Sequence, residues 1–276
     1  MVFGMKGAVY SHVGLVRENN EDNFYLGGYI NEQGKNYCYT TITWDESGWY
    51  CAAVFDGMGG EQDGEIASRI AAETLRDAAL EKIDREKTGE WTKEKTDLRI
   101  RGMILESNKR IVEHQERYQN VSGTTAVIFC TDSKFFKIYH CGDSRAYLMR
   151  QGKLVCITCD QTLASIKIEA GIYQENDPRA AYEKHKLTAF LGCDRTKERL
   201  LPKESAWIPI EEKDYILLCS DGLTDLCDEK EIREVLKKQG SVEEKCFWLL
   251  ENAIKAGGKD NVTCLLIQAE VRPCFF

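Results

Sequence analysis

Proline and histidine are scarce in this 276-residue chain, with 4 of each, and each scarcity excludes something. Without Pro-rich or Gly/Ser-rich stretches there is no stiff or flexible linker of the kind that separates domains. One domain over residues 1–276 is expected. The histidines lie far apart and form no H-x-x-x-H pair, which leaves little for a histidine-based zinc hydrolase. No apolar run approaches the roughly 20 residues needed to span a bilayer, and Met1 to Gly7 lack the charged start and apolar stretch of a secretory signal. A cytoplasmic protein with no membrane contact is therefore expected. Positive charge is also in deficit. With 37 Lys and Arg against 45 Asp and Glu, the net charge of -8 argues against nucleic acid as a partner and suits a chain that recruits cations.

Cysteine is not lacking, at 12 residues, but Cys130, Cys141, Cys219 and Cys264 fall inside apolar strand-like runs and read as buried thiols. Cys156-Ile157-Thr158-Cys159 is a lone C-x-x-C in an alternating stretch, with no second pair at zinc spacing.

What stands out is acid at the ends of apparent strands. Four segments carry it: Arg17-Glu18-Asn19-Asn20-Glu21-Asp22, Val54-Phe55-Asp56-Gly57-Met58-Gly59-Gly60, Ser220-Asp221-Gly222 and Asp260-Asn261-Val262-Thr263. Glu21 and Asp22 open a short apolar run, while Asp56 and Asp221 close the runs 50–55 and 215–219. Aspartate disfavours strand interiors, so such acids need a hydrogen bond or a cation. Several meeting at one sheet edge cannot all stay ionised unaided. Oxygen ligands of this kind suit Mg²⁺ or Mn²⁺.

Alternation and β-rich composition predict strands near 8–13, 24–30, 49–55, 124–130, 135–141, 145–149, 154–157, 215–219 and 263–268, with 37–43 as an added strand. Helical periodicity covers 64–83, where Ile66, Ile70, Ala71 and Leu75 share a face, and 97–118, where Leu98, Ile104, Leu105, Ile111 and Val112 recur. Two further helices fit 229–238, capped by Asp228, and 242–256, ended by Gly257-Gly258. Mostly antiparallel strands with two helical pairs suggest an α+β fold in which two sheets pack together under helices.

The acidic segments, with Ser122-Gly123-Thr124-Thr125-Ala126, Gly142-Asp143-Ser144-Arg145 and Gly257-Gly258-Lys259-Asp260-Asn261, resemble the motifs of the metal-dependent protein phosphatases, the protein phosphatase 2C family, and its bacterial branch in particular. The resemblance runs from about Tyr10 to Ile267 and implies a four-layer α-β-β-α sandwich. It implies hydrolysis of phosphoserine and phosphothreonine on proteins with two Mn²⁺ or Mg²⁺ ions, and a Ser/Thr kinase as a candidate partner. Asp56 would bridge both metals, with the Gly57 carbonyl on one and Asp221 and Asp260 on the other. Glu21 and Asp22 would act mostly through intervening water, and Arg17 would hold the phosphate. Asp143, shared with Asp221, is the candidate for a third, weaker ion, against an ordinary turn aspartate. The protein is expected to act as a monomer.

Two departures stand out. Met58 sits where many eukaryotic members place a histidine, which leaves the proton donor open between a bound water and His185. The segment 160–192 resembles the family's flap, but Ala189 occupies a position where relatives often have arginine. Two rival readings remain. Strand 49–55, Gly57-Met58-Gly59-Gly60 and helix 64–83 mimic a dinucleotide turn, but Gln62 replaces its third glycine, and Asp56, Glu61, Asp63 and Glu65 would repel a pyrophosphate. A phosphoprotein-binding pseudophosphatase would be marked by lost metal acids, and here Asp56, Asp221 and Asp260 are all present.

Overall fold

The computed structural model describes residues 3–44, 49–59, 63–85, 92–174, 176–193 and 202–271. In chain order the strands are β1 (Phe3–His12), β2 (Asp22–Leu26), β3 (Tyr37–Trp44), β4 (Tyr50–Gly59), β5 (Ser122–Thr124), β6 (Ala126–Thr131), β7 (Phe135–Cys141), β8 (Arg145–Arg150), β9 (Lys153–Cys156), β10 (Lys203–Glu204), β11 (Ile208–Pro209), β12 (Tyr215–Cys219) and β13 (Val262–Val271). The helices are α1 (Asp63–Arg85), α2 (Lys93–Tyr118), α3 (Leu163–Glu169), α4 (Pro178–Glu183), α5 (Asp221–Thr224), α6 (Glu229–Lys237) and α7 (Val242–Lys255).

One sheet runs β3-β1-β13-β12-β8-β9. The other runs β10-β7-β6-β4-β2, with β11 on β7 and β5 on β4. Side chains alternate between the faces of a strand, so each strand feeds two layers. Ile216 and Leu218 of β12 meet Val54, Val127, Phe129 and Ile138 between the sheets. Leu217 and Cys219 face Ile232, Val235, Leu249 and Leu250 of α6 and α7. Across the second sheet, Ala53, Phe55, Ile128 and Tyr139 pack under Ala71, Leu75, Ile104 and Ile111 of α1 and α2. This is the expected four-layer arrangement. Near-continuous apolar runs such as 215–219 follow from burial on both faces.

Asp228 and Ser241 each close a capping box, which fixes the starts of α6 and α7. Cys130, Cys141, Cys219 and Cys264 are buried, as expected.

Three expectations change. Leu98 is 69% exposed, because the buried stripe of α2 runs through Ile100, Met103, Ile104 and Ile111. The row Leu98, Leu105, Val112 lies at the rim of that stripe, since a seven-residue step stays on one line about 100° from the next residue's line. β4 does not stop at Phe55 but continues to Gly59: its ladder with β2 ends at Asp22 and Asp56, and β5 takes over opposite Gly57, Met58 and Gly59. The segment 160–192 also holds α3 and α4, too short for periodicity to reveal. Gly60, Glu61 and Gln62 lie outside the described residues.

Candidate metal centre

The change of partner along β4 builds the centre. Asp22 and Asp56 are register partners of β2 and β4, so their side chains leave the same face of the sheet. Asp22 is 1% exposed, and its Oδ2 accepts from Ser220 Oγ at 2.7 Å. Its Oδ1 is buried with no partner. An orphaned carboxylate oxygen costs about 1–3 kcal/mol or more, so the position calls for a cation or a proton.

Asp56 keeps some solvent contact yet has protein on most sides, like the floor of a cleft. Burial, then Asp22, Asp221, Asp143 and Asp260, drive its carboxyl well above the ordinary range. That roll of neighbours shows that the fold brings acids from four separate segments and the Gly142-Asp143 turn to one place. Burial pushes Asp22 up to about 7 against the hydrogen bonds of Thr263 and Ser220. Asp143 rises to about 7 through burial, then Asp221 and Asp160. Glu21 rises to about 7 through burial, with Arg17 opposing and Asp260, Glu65 and Asp63 adding. Burial first, and like charges second, raise these carboxyls, and a cation among them would offset both.

Arg17, half-exposed, donates from Nη2 to Asp260 Oδ2 at 2.8 Å. The Asp260 hydrogen bond, ahead of all other influences, raises its guanidinium pKa further. The predicted phosphate-binding arginine is therefore on the acid edge, paired with a predicted ligand.

Two glycines let backbone close in around the centre. A Cβ on Gly57 would fall 2.3 Å from the Gly64 carbonyl oxygen and 2.5 Å from that of Glu21. The absent side chain lets the start of α1 and the Glu21 loop press onto β4. Gly222 is likewise closed in, 1.9 Å from the Asn261 carbonyl oxygen.

Several positioning residues escaped the sequence reading although they lie within the quoted motifs. Asn261 donates from Nδ2 to the carbonyls of Val13 and Asn19, each at 2.9 Å, and accepts from Glu21 N at 2.8 Å, so one amide shapes the whole Arg17 loop. Thr125 Oγ1 accepts from Asp56 N at 3.0 Å, and Thr124 Oγ1 donates to the Asp56 carbonyl at 2.9 Å. Ser220 Oγ, which donates to Asp22, accepts from Thr263 N at 3.0 Å. Their signal was adjacency to a predicted ligand in each motif.

The segment 160–192 is tied at both ends. Arg145 grips Asp160 through Nε at 2.9 Å and Nη2 at 2.7 Å. Leu191 and Thr124 exchange backbone bonds at 2.8 and 3.0 Å. Between these ties His185, one of the two candidates for the proton donor, faces two carboxylates. Its Nδ1 is 3.6 Å from Asp221 and its Nε2 3.6 Å from Asp225, while Lys184 Nζ is 2.8 Å from Asp225. Asp221, then Asp225, raise the imidazole above its ordinary value. Asp225 lies four positions after Asp221, at the C-terminal cap of α5, which the sequence did not assign as helix. Ala189 is buried among the core residues under α2.

A two-sheet sandwich that gathers acids at the switch point of one strand, around close-packed glycine backbone, defines a divalent-cation hydrolase class. Residues 37–255 match the Protein phosphatase 2C family, and the chain belongs to that family. It is 31% identical over 260 residues to the serine/threonine phosphatase stp of Listeria monocytogenes, covering 94% of this chain and 93% of that one. It is 30% identical over 268 residues to the protein phosphatase PhpP of Streptococcus pneumoniae, covering 95% and 97%. The crystal structure of the Mycobacterium tuberculosis serine/threonine phosphatase PstP superposes with a TM-score of 0.77 at 27% identity, over 97% of this chain and 100% of that one. A structure of the PstP catalytic domain in complex with two manganese ions gives 0.74 at 28% identity, over 98% and 100%.

Proposed function

We propose that this chain hydrolyses phosphoserine and phosphothreonine on proteins, in opposition to a Ser/Thr kinase, with two Mn²⁺ or Mg²⁺ ions and with residues 1–276 acting as one catalytic domain. The observation that carries the reading is the cross-strand pair Asp22 and Asp56 with its orphaned buried oxygen. Two carboxylates set face to face and partly desolvated fit divalent cations, and the nearby Arg17 is bonded to Asp260, not to either of them.

Asp56 would bridge the pair of ions, with the Gly57 carbonyl on one and Asp221 and Asp260 on the other. Glu21 and Asp22 would complete the set, and Asp143 with Asp221 would hold any third ion. When bound, two such ions acidify and orient a water and neutralise charge on the phosphoryl oxygens. The chain's own residues do the rest. Ser220, itself held by the Thr263 N–H, fixes Asp22, and Thr124 and Thr125 fix the Asp56 backbone, so the acids are preorganised. Asn261 keeps the Arg17 loop on the acid edge. Arg17, relieved of Asp260 once a cation takes up that charge, presents a planar fork to the phosphate oxygens. Asp160 and Leu191 anchor a flap over 160–192 beside the centre.

The test is hydrolysis of a phosphothreonine peptide and of p-nitrophenyl phosphate by metal-stripped protein. Activity should depend on added Mn²⁺ or Mg²⁺ and vanish with EDTA. Full activity without metal would sink the reading, and phosphopeptide binding with no turnover under any metal would favour the pseudophosphatase instead.

A further inference from the structure

Val9 of β1 and Leu265 of β13 belong to the apolar layer between the two sheets. Side chains two positions apart share a face of a strand, so Ser11 and Thr263 continue that layer, and there the two are register partners. Both are fully buried, and their hydroxyls meet at 2.8 Å. Buried polar groups cost stability unless every one is satisfied, and a hydroxyl pair fills this layer no better than two apolar side chains would. Its use lies in what it connects.

Asn20, also fully buried, donates from Nδ2 to Ser11 Oγ at 3.0 Å and to the Lys35 carbonyl at 3.1 Å, while its Oδ1 accepts from Asp22 N at 3.3 Å. Both amide protons are taken, which fixes the amide's orientation. The Lys35 carbonyl is itself held by Asn31, whose Nδ2 donates to it at 3.2 Å and whose Oδ1 accepts from Lys35 N at 2.8 Å. On the other side of the hydroxyl pair, Thr263 N donates to Ser220 Oγ, and Ser220 Oγ donates to Asp22 Oδ2. The bonds close a ring that leaves Asp22 at its backbone N–H, runs through Asn20, Ser11, Thr263 and Ser220, and returns to the Asp22 carboxylate. One acid is thus held by both its main chain and its side chain.

We propose that Ser11, Asn20 and the Thr263 hydroxyl are positioning residues for the cation site, acting through Asp22 and touching no ion themselves. The inference rests on the metal reading above and adds to it the groups that set how well an ion is held. The ring commits Asp22 Oδ2 to Ser220 and leaves Oδ1 buried without a protein donor. A carboxylate free to turn would lose the distinction between its two oxygens, whereas one tied at its backbone and at Oδ2 keeps the same oxygen available to an ion or to the water the ion carries. Removing groups that orient a ligand in this way typically costs about 10–100-fold in metal affinity. Ser11 lies outside every acidic segment of the sequence, so only the packing of β1 against β13 shows its part.

The experiment is Mn²⁺ titration calorimetry on the metal-stripped, full-length protein well below its melting point, with circular dichroism and metal-free thermal melts beside it. Ser11→Ala and Thr263→Val each delete one hydroxyl, and each should weaken Mn²⁺ binding about tenfold or more while the dichroism stays that of the wild type. Their losses should not add, because both break the same bond, so the double variant should bind about as well as the weaker single one. Thr263→Ser keeps the hydroxyl and should bind like the wild type. Thr263→Val nearly preserves side-chain shape, so it carries the test if Ser11→Ala does not fold. Wild-type Mn²⁺ affinity in a folded variant without the hydroxyl overturns the inference, and a lowered metal-free melting point as its sole change would assign the pair to the core. Losses that add in full overturn the ring. A wild type that binds no Mn²⁺ overturns instead the metal reading on which the inference rests.

Discussion

Asp22 and Asp56 stand opposite one another in the β2–β4 ladder, and the Asp22 carboxylate has one oxygen on Ser220 and the other on nothing. Like charges directly opposite destabilise a sheet. The pair therefore costs stability in the metal-free fold, a cost that cations held at the proposed site would reverse.

Replacing the bridge candidate tests that trade directly. Asp56→Asn removes one of two facing negative charges, so the metal-free variant should melt no lower than wild type at pH 8. Its melting point should stop responding to Mn²⁺, and turnover should fall by orders of magnitude. Calorimetry that shows two ions still binding with wild-type affinity would remove Asp56 from the ligand set.

The pH dependence of the metal-free protein follows from the raised carboxyls. Glu21, Asp22 and Asp143 sit at about 7 in the fold, each first through burial. In the unfolded chain such groups titrate near about 4. Over that interval the native state holds protons that the unfolded state has released. The stability these groups contribute is therefore fully present below about pH 4 and is lost as pH rises through about 7. Metal-stripped protein should lose melting temperature over that interval, and saturating Mn²⁺ should flatten or reverse the slope. A metal-free melting curve that rises steadily from pH 5 to 8 would contradict the assignment.

Arg17 should serve substrate more than it builds the nucleophile. Arg17→Ala is expected to raise KM about tenfold or more and weaken inhibition by inorganic phosphate, with a smaller loss in kcat. Unchanged phosphate inhibition would leave the guanidinium as no more than a partner of Asp260.

Asp143 separates a third ion from a turn. If Asp143 and Asp221 share a weaker ion, Asp143→Ala should lower turnover on phosphopeptides and shift the activity curve to higher Mn²⁺, while two tighter ions still raise the melting point. A turn residue would instead lower the melting point and leave the activity curve where it was.

Much of the fold was legible because it rests on local rules. β7 and β12 coincide with the predicted runs 135–141 and 215–219, since alternation and apolar content are properties of each segment alone. The helices of 229–238 and 242–256 were legible for the same reason, the first from Asp228, whose partner Glu231 lies three residues on, and the second from the Gly257-Gly258 stop. Leu98 was misread because the apolar face of α2 depends on which side the sheet lies, and no local pattern holds that. The short helices of 160–192 were invisible because a turn or two of helix has no period to detect.

In the site, the sequence by itself determined the inventory: an acid in each of several motifs and a nearby arginine. Residue chemistry and spacing suffice for that, because a carboxylate that interrupts an apolar run announces itself. Only the tertiary structure decided which acids meet and what holds them. The facing of Asp22 and Asp56 depends on strand register, the amide staple of Asn261 joins residues some 240 positions apart, and His185 finds Asp221 and Asp225 only once the segment 160–192 is folded against α5. Registry, burial and long-range hydrogen bonding are properties of packed neighbours, and a linear sequence does not state which neighbours those are.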